Sequence, residues 1–318
     1  MFRVTVCIFS LSFCLMMSAG PVNGLGESTG KQPYLVVLGI AQDGGVPQAG
    51  TKDHPGWGNG AFRHLVSCLA IVDSTAAKRW MIDCTPDFKE QLHILDELNP
   101  VDKRPGIDGI FLTHAHMGHY TGLMHLGHEV MGTKGVPVHA MPRMLTFLSE
   151  NGPWSQLVNY NNITLEPLSN GVAVELSPHL IIEPFLVPHR QEYSEVIGYL
   201  ITEPHRSVLY ISDIDSWDDW DDQGKHIEEL IPKVDVAYLD GTFYSDGEIP
   251  GRDMSTFPHP LITSSMHRFK SLPAEDRIKV RFIHLNHTNP ALIPGSEARK
   301  TIENNGFRVA EELERVDL

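Results

Sequence analysis

Cysteine is scarce in this 318-residue chain. There are four in all, and Cys7 and Cys14 sit in an apolar N-terminal run, which leaves Cys68 and Cys84 for the remainder. That excludes a cysteine-rich metal cluster and limits the remainder to a single disulfide. Cys68 and Cys84 fall in "RHLVSCLAIVDS" and "KRWMIDCT", two strand-like runs joined by a short polar turn. Counting back from the turn brings them near each other, so a cross-strand disulfide and two buried free thiols both stand open. Basic residues are also few: 25 Lys and Arg against 40 Asp and Glu give a formal net charge of -15. No basic run is present, which argues against nucleic acid as a partner, because affinity for its phosphates rests on clustered Lys and Arg. Pro/Ser-rich linkers and short internal repeats are absent too, so nothing divides the chain into modules.

Long apolar runs are missing beyond the N-terminus. There, Arg3 precedes "VTVCIFSLSFCLMMSA" and a small-residue end near Gly24, the pattern of a signal peptide over residues 1–24. The run is shorter than the ~20 residues a spanning helix needs. The expectation is export to a secreted or periplasmic location, no membrane partner once the leader is removed, and a single domain over residues 25–318.

What is present is a 42% hydrophobic share, enough to bury a large core. "YLVVLGI" predicts a strand that runs into a long Gly-rich loop, "AQDGGVPQAGTKDHPGWGNG". Further strands are expected at 65–72, 79–83, 109–112 and 136–140, with helices at about 87–98, 122–131 and 142–152. The second half predicts strands near 173–176, 180–187, 196–202, 207–212 and 235–239, and a helix near 259–270. "KVRFIHLNH" follows as a strand, then a helix near 296–304 and the strand "FRVAEEL". The alternation implies two similar sheet layers covered by helices.

The chemistry concentrates in "FLTHAHMGHYTGL". Alternate residues of an extended segment face the same way, so His114 and His116 face one ligand, and Gly118 lets His119 join from the next turn. Neutral imidazole is the commonest biological zinc ligand and also suits iron. His189, Asp213 and His287 each follow an apolar strand-like run, where sheets commonly place site residues. His125 and His128 lie beyond the motif, where packing or a solvent-facing role is expected.

The order His114, His116, His119, His189, Asp213, His287 resembles the metallo-β-lactamase superfamily, which implies an α/β fold, a four-layer αβ/βα sandwich. By that resemblance His114, His116 and His189 match a first metal position, Asp213 a bridging carboxylate, and His119 and His287 a second position. The usual pattern is H-x-H-x-D-H, and Gly118 stands where its Asp, a second-metal ligand, belongs. "LGIAQDGGVPQAG", "LDGTFYSDGEIPGRDM" and "FIHLNHTNPAL" together are similar to the branch grouped with the pyrroloquinoline quinone (PQQ) biosynthesis protein B. That branch carries a Cys-rich cluster after its "GG-PQ" element and lacks this full histidine run, so its fold carries over better than its reaction.

A metal held by three neutral histidines keeps an open position and lowers the pKa of bound water toward ~7. The expectation is a metal-dependent hydrolase that uses such a hydroxide on a small ester, amide, lactone or phosphodiester, with Asp213 orienting it or taking its proton. Zinc is the expected cofactor, one ion or two, with iron or manganese as alternatives. An iron-dependent hydroxylase and a non-catalytic metal-binding protein are the rival readings. Asp43, Arg190, Asp240 and His259, with Gln42, Glu192, Thr242 and Tyr244 nearby, are candidates for lining the pocket.

Overall fold

The computed structural model describes residues 32–318; the leader-like segment, with Cys7 and Cys14, lies outside the described residues. Apolar runs dictate the architecture. "YLVVLG" forms β1 (Tyr34–Gly39), buried on both faces, followed by β2 (Cys68–Asp73), β3 (Lys78–Ile82), β4 (Gly109–Phe111), β5 (Val136–Ala140) and β6 (Ile163–Pro167). The second half supplies β7 (Val174–Ser177), β8 (Leu180–Leu186), β9 (Ile197–Glu203), β10 (Arg206–Ile211), β11 (Val236–Asp240), β12 (Val280–Ile283), β13 (Arg308–Val309) and β14 (Arg315–Asp317).

Two mixed seven-stranded sheets result, in the orders β14-β1-β2-β3-β4-β5-β6 and β13-β12-β11-β10-β9-β8-β7. Strand alternation divides the core. Leu35, Val37, Leu69, Ile71 and Ile82 of the first sheet pack with Ile182, Tyr199, Ile201, Leu209 and Ile211 of the second, while Val36, Leu38, Ala70, Val72 and Met81 face the helices outside. The helix Phe88–Leu98 buries Phe88, Gln91, Leu92 and Leu95, an i, i+3, i+4, i+7 stripe laid on the first sheet. The helix Glu297–Asn304 buries Ala298 and Ile302 and is capped by Ser296, whose hydroxyl accepts from the Arg299 N–H at 3.1 Å. Helix, sheet, sheet and helix make the four-layer sandwich expected from the sequence.

Three elements depart from expectation. The region 122–131 is a 3-10 turn over Thr121–Leu126, closed by Gly127 and by Gly132 at φ 56°. "KVRFIHLNH" leaves the sheet after Ile283, because His284 turns to φ 64°. "FRVAEEL" pairs only through Arg308–Val309. Cys68 and Cys84 are buried free thiols, and burial pushes both well above the usual thiol range. Among the described residues no helix is long and apolar enough to cross a membrane.

Candidate metal centre

The strand ends on one rim of the sandwich converge. Thr113, His114 and His116 follow β4, and His119 sits on the short helix Met117–Tyr120. His189 follows β8, Asp213 follows β10, Asp240 closes β11, and His284 follows β12. His114, His119, His189, Asp213 and His284 are all buried, and His116 is half-buried. Their donor atoms form overlapping clusters: His114 with His116 and His189, His114 with His119 and Asp213, and Asp43 with His119 and His284.

Separations match those of shared coordination. His116 Nδ1 lies 3.3 Å from His189 Nε2, and His119 Nε2 lies 3.4 Å from Asp213 Oδ2 and 3.5 Å from Asp43 Oδ1. His284 Nε2 lies 3.5 Å and His189 Nε2 3.9 Å from Asp213 Oδ1. Nitrogens about 2.0–2.1 Å from one zinc stand about 3.3 Å apart at tetrahedral angles.

A second layer of groups fixes which nitrogen faces inward. His119 Nδ1–H donates to Asp83 Oδ2 at 2.7 Å, and the Thr113 hydroxyl donates to Asp83 Oδ1 at 2.9 Å while accepting from His114 Nδ1–H at 3.0 Å. The other sheet repeats this arrangement. The Thr242 hydroxyl donates to Asp240 Oδ1 at 2.8 Å and accepts from His284 Nδ1–H at 3.0 Å, and His259 Nδ1–H donates to Asp240 Oδ2 at 2.7 Å. These tautomers follow from the network: an Nδ1–H committed outward leaves the Nε2 lone pair inward. His116 is the reverse case, because its Nε2 meets Glu192 Oε2 at 3.2 Å and leaves Nδ1 inward. Asp215 Oδ1 approaches His189 Nδ1 to 2.9 Å without the alignment of a hydrogen bond.

These residues fit a metal by an internal criterion. Buried His114 Nε2, His119 Nε2, His284 Nε2 and Asp213 Oδ2 have no hydrogen-bond partner, although buried polar atoms in proteins nearly always have one. His114 and His119 cluster with Asp213, and His119 and His284 cluster with Asp43, so divalent cations in these adjoining clusters would satisfy all four. The field is suited to one. Burial alone would raise the Asp213 carboxyl, but His284, His119, His114 and His189 hold it well below the usual carboxylate range. Burial lowers His119, yet Asp83 and Asp213 outweigh it and bring it up to about 10, so carboxylate charge holds a proton on Nε2 that a bound cation would displace. Burial keeps His114 and His284 below the ordinary imidazole value, so their lone pairs are available near neutral pH.

The structure brings His114, His116, His119, His189, Asp213, Asp43, Asp240 and His259 to this rim. His287 is a correction: it lines a separate apolar cavity with His54, Pro55, Phe62 and Ile293, and His284 stands in the centre instead. The physical reason is the turn at His284, after which Asn286 and Asn289 close a loop that carries His287 outward. Arg190 is exposed just past His189 rather than in the cluster. Sequence reasoning missed His284 and Asp83. Asp83 was legible as the polar residue ending "RWMID", and His284 as an inward residue of the β12 alternation. His125 packs near Phe88, with ring centroids 5.9 Å apart.

A family profile described as beta-lactamase superfamily domain matches residues 78–275. The chain belongs to this superfamily. Within the superfamily it is similar to coenzyme PQQ synthesis protein B of Xanthomonas oryzae pv. oryzae, 26% identical with 87% of this chain and 97% of the relative covered. The crystal structure of zinc-bound PqqB from Methylobacterium extorquens superposes with a TM-score of 0.74 at 21% identity, covering 90% of this chain and all of that one. A crystal structure of a diphosphatase from the PhnP family gives 0.64 at 22% identity, covering 90% and 96%. The superfamily resemblance drawn from "THAHMGH" and its branch resemblance therefore both hold.

Proposed function

We propose that this superfamily member is a metal-dependent hydrolase that cleaves a small ester or phosphodiester. One observation carries the reading: a buried Asp240–His259 pair stands beside the proposed metal ligands. His259 has a ring nitrogen within 4.8 Å of a His189 nitrogen and an Asp213 carboxylate oxygen, and its Nδ1–H is already committed to Asp240 at 2.7 Å. Nε2 is then the nitrogen left to face a substrate. Burial lowers the His259 pKa, but Asp240 outweighs it, so the net direction is upward. Such a group gives its proton to a departing alkoxide, which leaves poorly as an anion, and this is general-acid catalysis.

His114, His116, His189 and Asp213 would hold a divalent cation, whose Lewis acidity would polarise the scissile ester and make water nucleophilic near neutral pH. The chain's own residues do the rest. Asp213 holds its inward oxygens ionised, Asp83 and Thr113 fix the imidazole planes, and Asp240 keeps His259 in its donating orientation. A cavity of about 470 Å³ lined by Gln42, Asp43, Gln48, Met117 and Asn286 adjoins the centre and is of small-molecule size. A larger cavity of about 970 Å³ lies at Leu92, Pro100–Gly106 and Val130–Lys134 and contains none of the site residues. The diphosphatase likeness supports hydrolysis, and the leader-like N-terminus supports export.

The likeness to PQQ synthesis proteins favours one second reading, iron-dependent oxidation in the same donor set. A panel of lactone, β-lactam, thioester and phosphodiester substrates, run with zinc-loaded and iron-loaded protein, separates the two. Hydrolysis lost in His116→Ala is expected. In His259→Gln, kcat should fall by about 10²–10⁴ with metal content unchanged. Oxygen consumption by the iron form with no hydrolysis of any panel member would overturn the hydrolase.

A further inference from the structure

Gly118 occupies the place of a carboxylate in the superfamily pattern, yet its side-chain space is not empty. A Cβ built there would stand 2.2 Å from Asp43 Oδ1 and 2.6 Å from Asp43 Cα. Both the carboxylate and the backbone of a different loop fill that volume, and only glycine tolerates their approach. The Gly118 N–H donates to Asp43 Oδ1 at 3.1 Å, which aims the carboxylate at His119 Nε2, 3.5 Å away and otherwise without a hydrogen-bond partner.

The loop is anchored to the segment that carries His284. Leu285 N–H donates to Ile40 O and Gln42 N–H donates to Leu285 O, both at 2.8 Å, and the Asn286 amide donates to Gln42 Oε1. One local pairing thus sets Asp43 and His284 together, and the two stand with His119 within 4.8 Å. We propose that Asp43 replaces the missing carboxylate of the motif and completes a second divalent-cation site with His119, His284 and Asp213. Two imidazoles and two carboxylates form that site, while the first keeps three imidazoles and shares Asp213. The inference rests on the metal-centre reading above.

Zinc titration of the stripped full chain, followed by metal analysis, tests it without reference to activity. Two equivalents are expected in the wild type. Asp43→Ala is expected to keep one at unchanged affinity and to bind the second at least ~10-fold more weakly. Asp43→Asn, which keeps one oxygen, should fall between. Asp43 is a part-exposed loop residue, and matching far-UV spectra and melting of the metal-free proteins show that the variants fold. One equivalent in the wild type, or two in Asp43→Ala with the second affinity unchanged, overturns the proposal while leaving the first site and the hydrolase reading intact. No bound zinc in the wild type overturns both.

Discussion

Asp83 touches no candidate substrate position, yet its replacement by asparagine should disable one inward nitrogen of the centre. The carboxylate is fully buried and accepts from the Thr113 N–H at 2.8 Å, the Thr113 hydroxyl at 2.9 Å and His119 Nδ1–H at 2.7 Å. Asp83→Asn preserves shape and keeps one oxygen for Thr113, but it turns an NH2 toward His119 Nδ1–H, donor against donor. His119 escapes by moving its proton to Nε2, and a protonated Nε2 cannot bind a cation. Losing such an outer partner costs about 10–100-fold in metal affinity, or about 1.4–2.7 kcal/mol. Competition between the protein and a zinc chelator measures this, with the loss confined to the ion bound by His119. The Asp215→Asn effect on the ion bound by His189 should be smaller, because that contact lacks hydrogen-bond alignment. An Asp83→Asn affinity equal to that of the wild type would refute the tautomer argument.

Three further outcomes are expected. His284→Ala should lose a metal equivalent while His287→Ala keeps the wild-type content, and the opposite result by metal analysis would restore His287 as the ligand. Arg79, buried at the base of the helix Phe88–Leu98, donates to the carbonyls of Gly106, Leu95 and Asn99 and to Asp96. Arg79→Met strands the Gly106 and Asn99 carbonyls, while Leu95 O keeps the Asn99 N–H, and should cost about 3–5 kcal/mol in urea unfolding; a loss under about 1 kcal/mol contradicts that network. His139 stacks on Phe111 at 4.2 Å, and burial lowers its pKa to about 4 from an unfolded value near 6.5. The folded state therefore binds this proton less readily, so stability is full above pH 6.5 and declines as pH falls toward 4. His139 is partly exposed, so His139→Gln should gain only about 1–2 kcal/mol on the wild type between pH 7 and 5; parallel stability curves would count against it.

Most of the sandwich was legible because buried strands announce themselves as apolar runs: β1, β2, β5, β8 and β10 all appear where "YLVVLG", "CLAIVD", "VPVHA", "LIIEPFL" and "RSVLYI" place them. The edge strands β6 and β14 were not anticipated, since an edge strand buries less and needs less apolar sequence. Exposed Glu166 and Pro167 in β6 show this. The first-metal histidines were legible from their spacing. His284 was missed in favour of His287 because a strand was carried through "HLNH", although the Asn-rich "NHTNP" that follows is turn chemistry. Asp43 was placed in the pocket but not beside Gly118, because pairing of the loop after β1 with Leu285 joins residues more than two hundred positions apart.

The two halves of the centre belong to different sheets. His114, His116 and His119 extend from the first, His189, Asp213 and His284 from the second. A cation shared among them is therefore a clasp across the seam of the sandwich, and its binding energy is also cohesion between the layers. Each site that binds only the folded chain adds about 2.7 kcal/mol when free metal is a hundredfold above the dissociation constant. Chelation would then do more than stop chemistry: it would loosen the rim along which the layers meet, tying the lifetime of the protein to the metal supply of its surroundings.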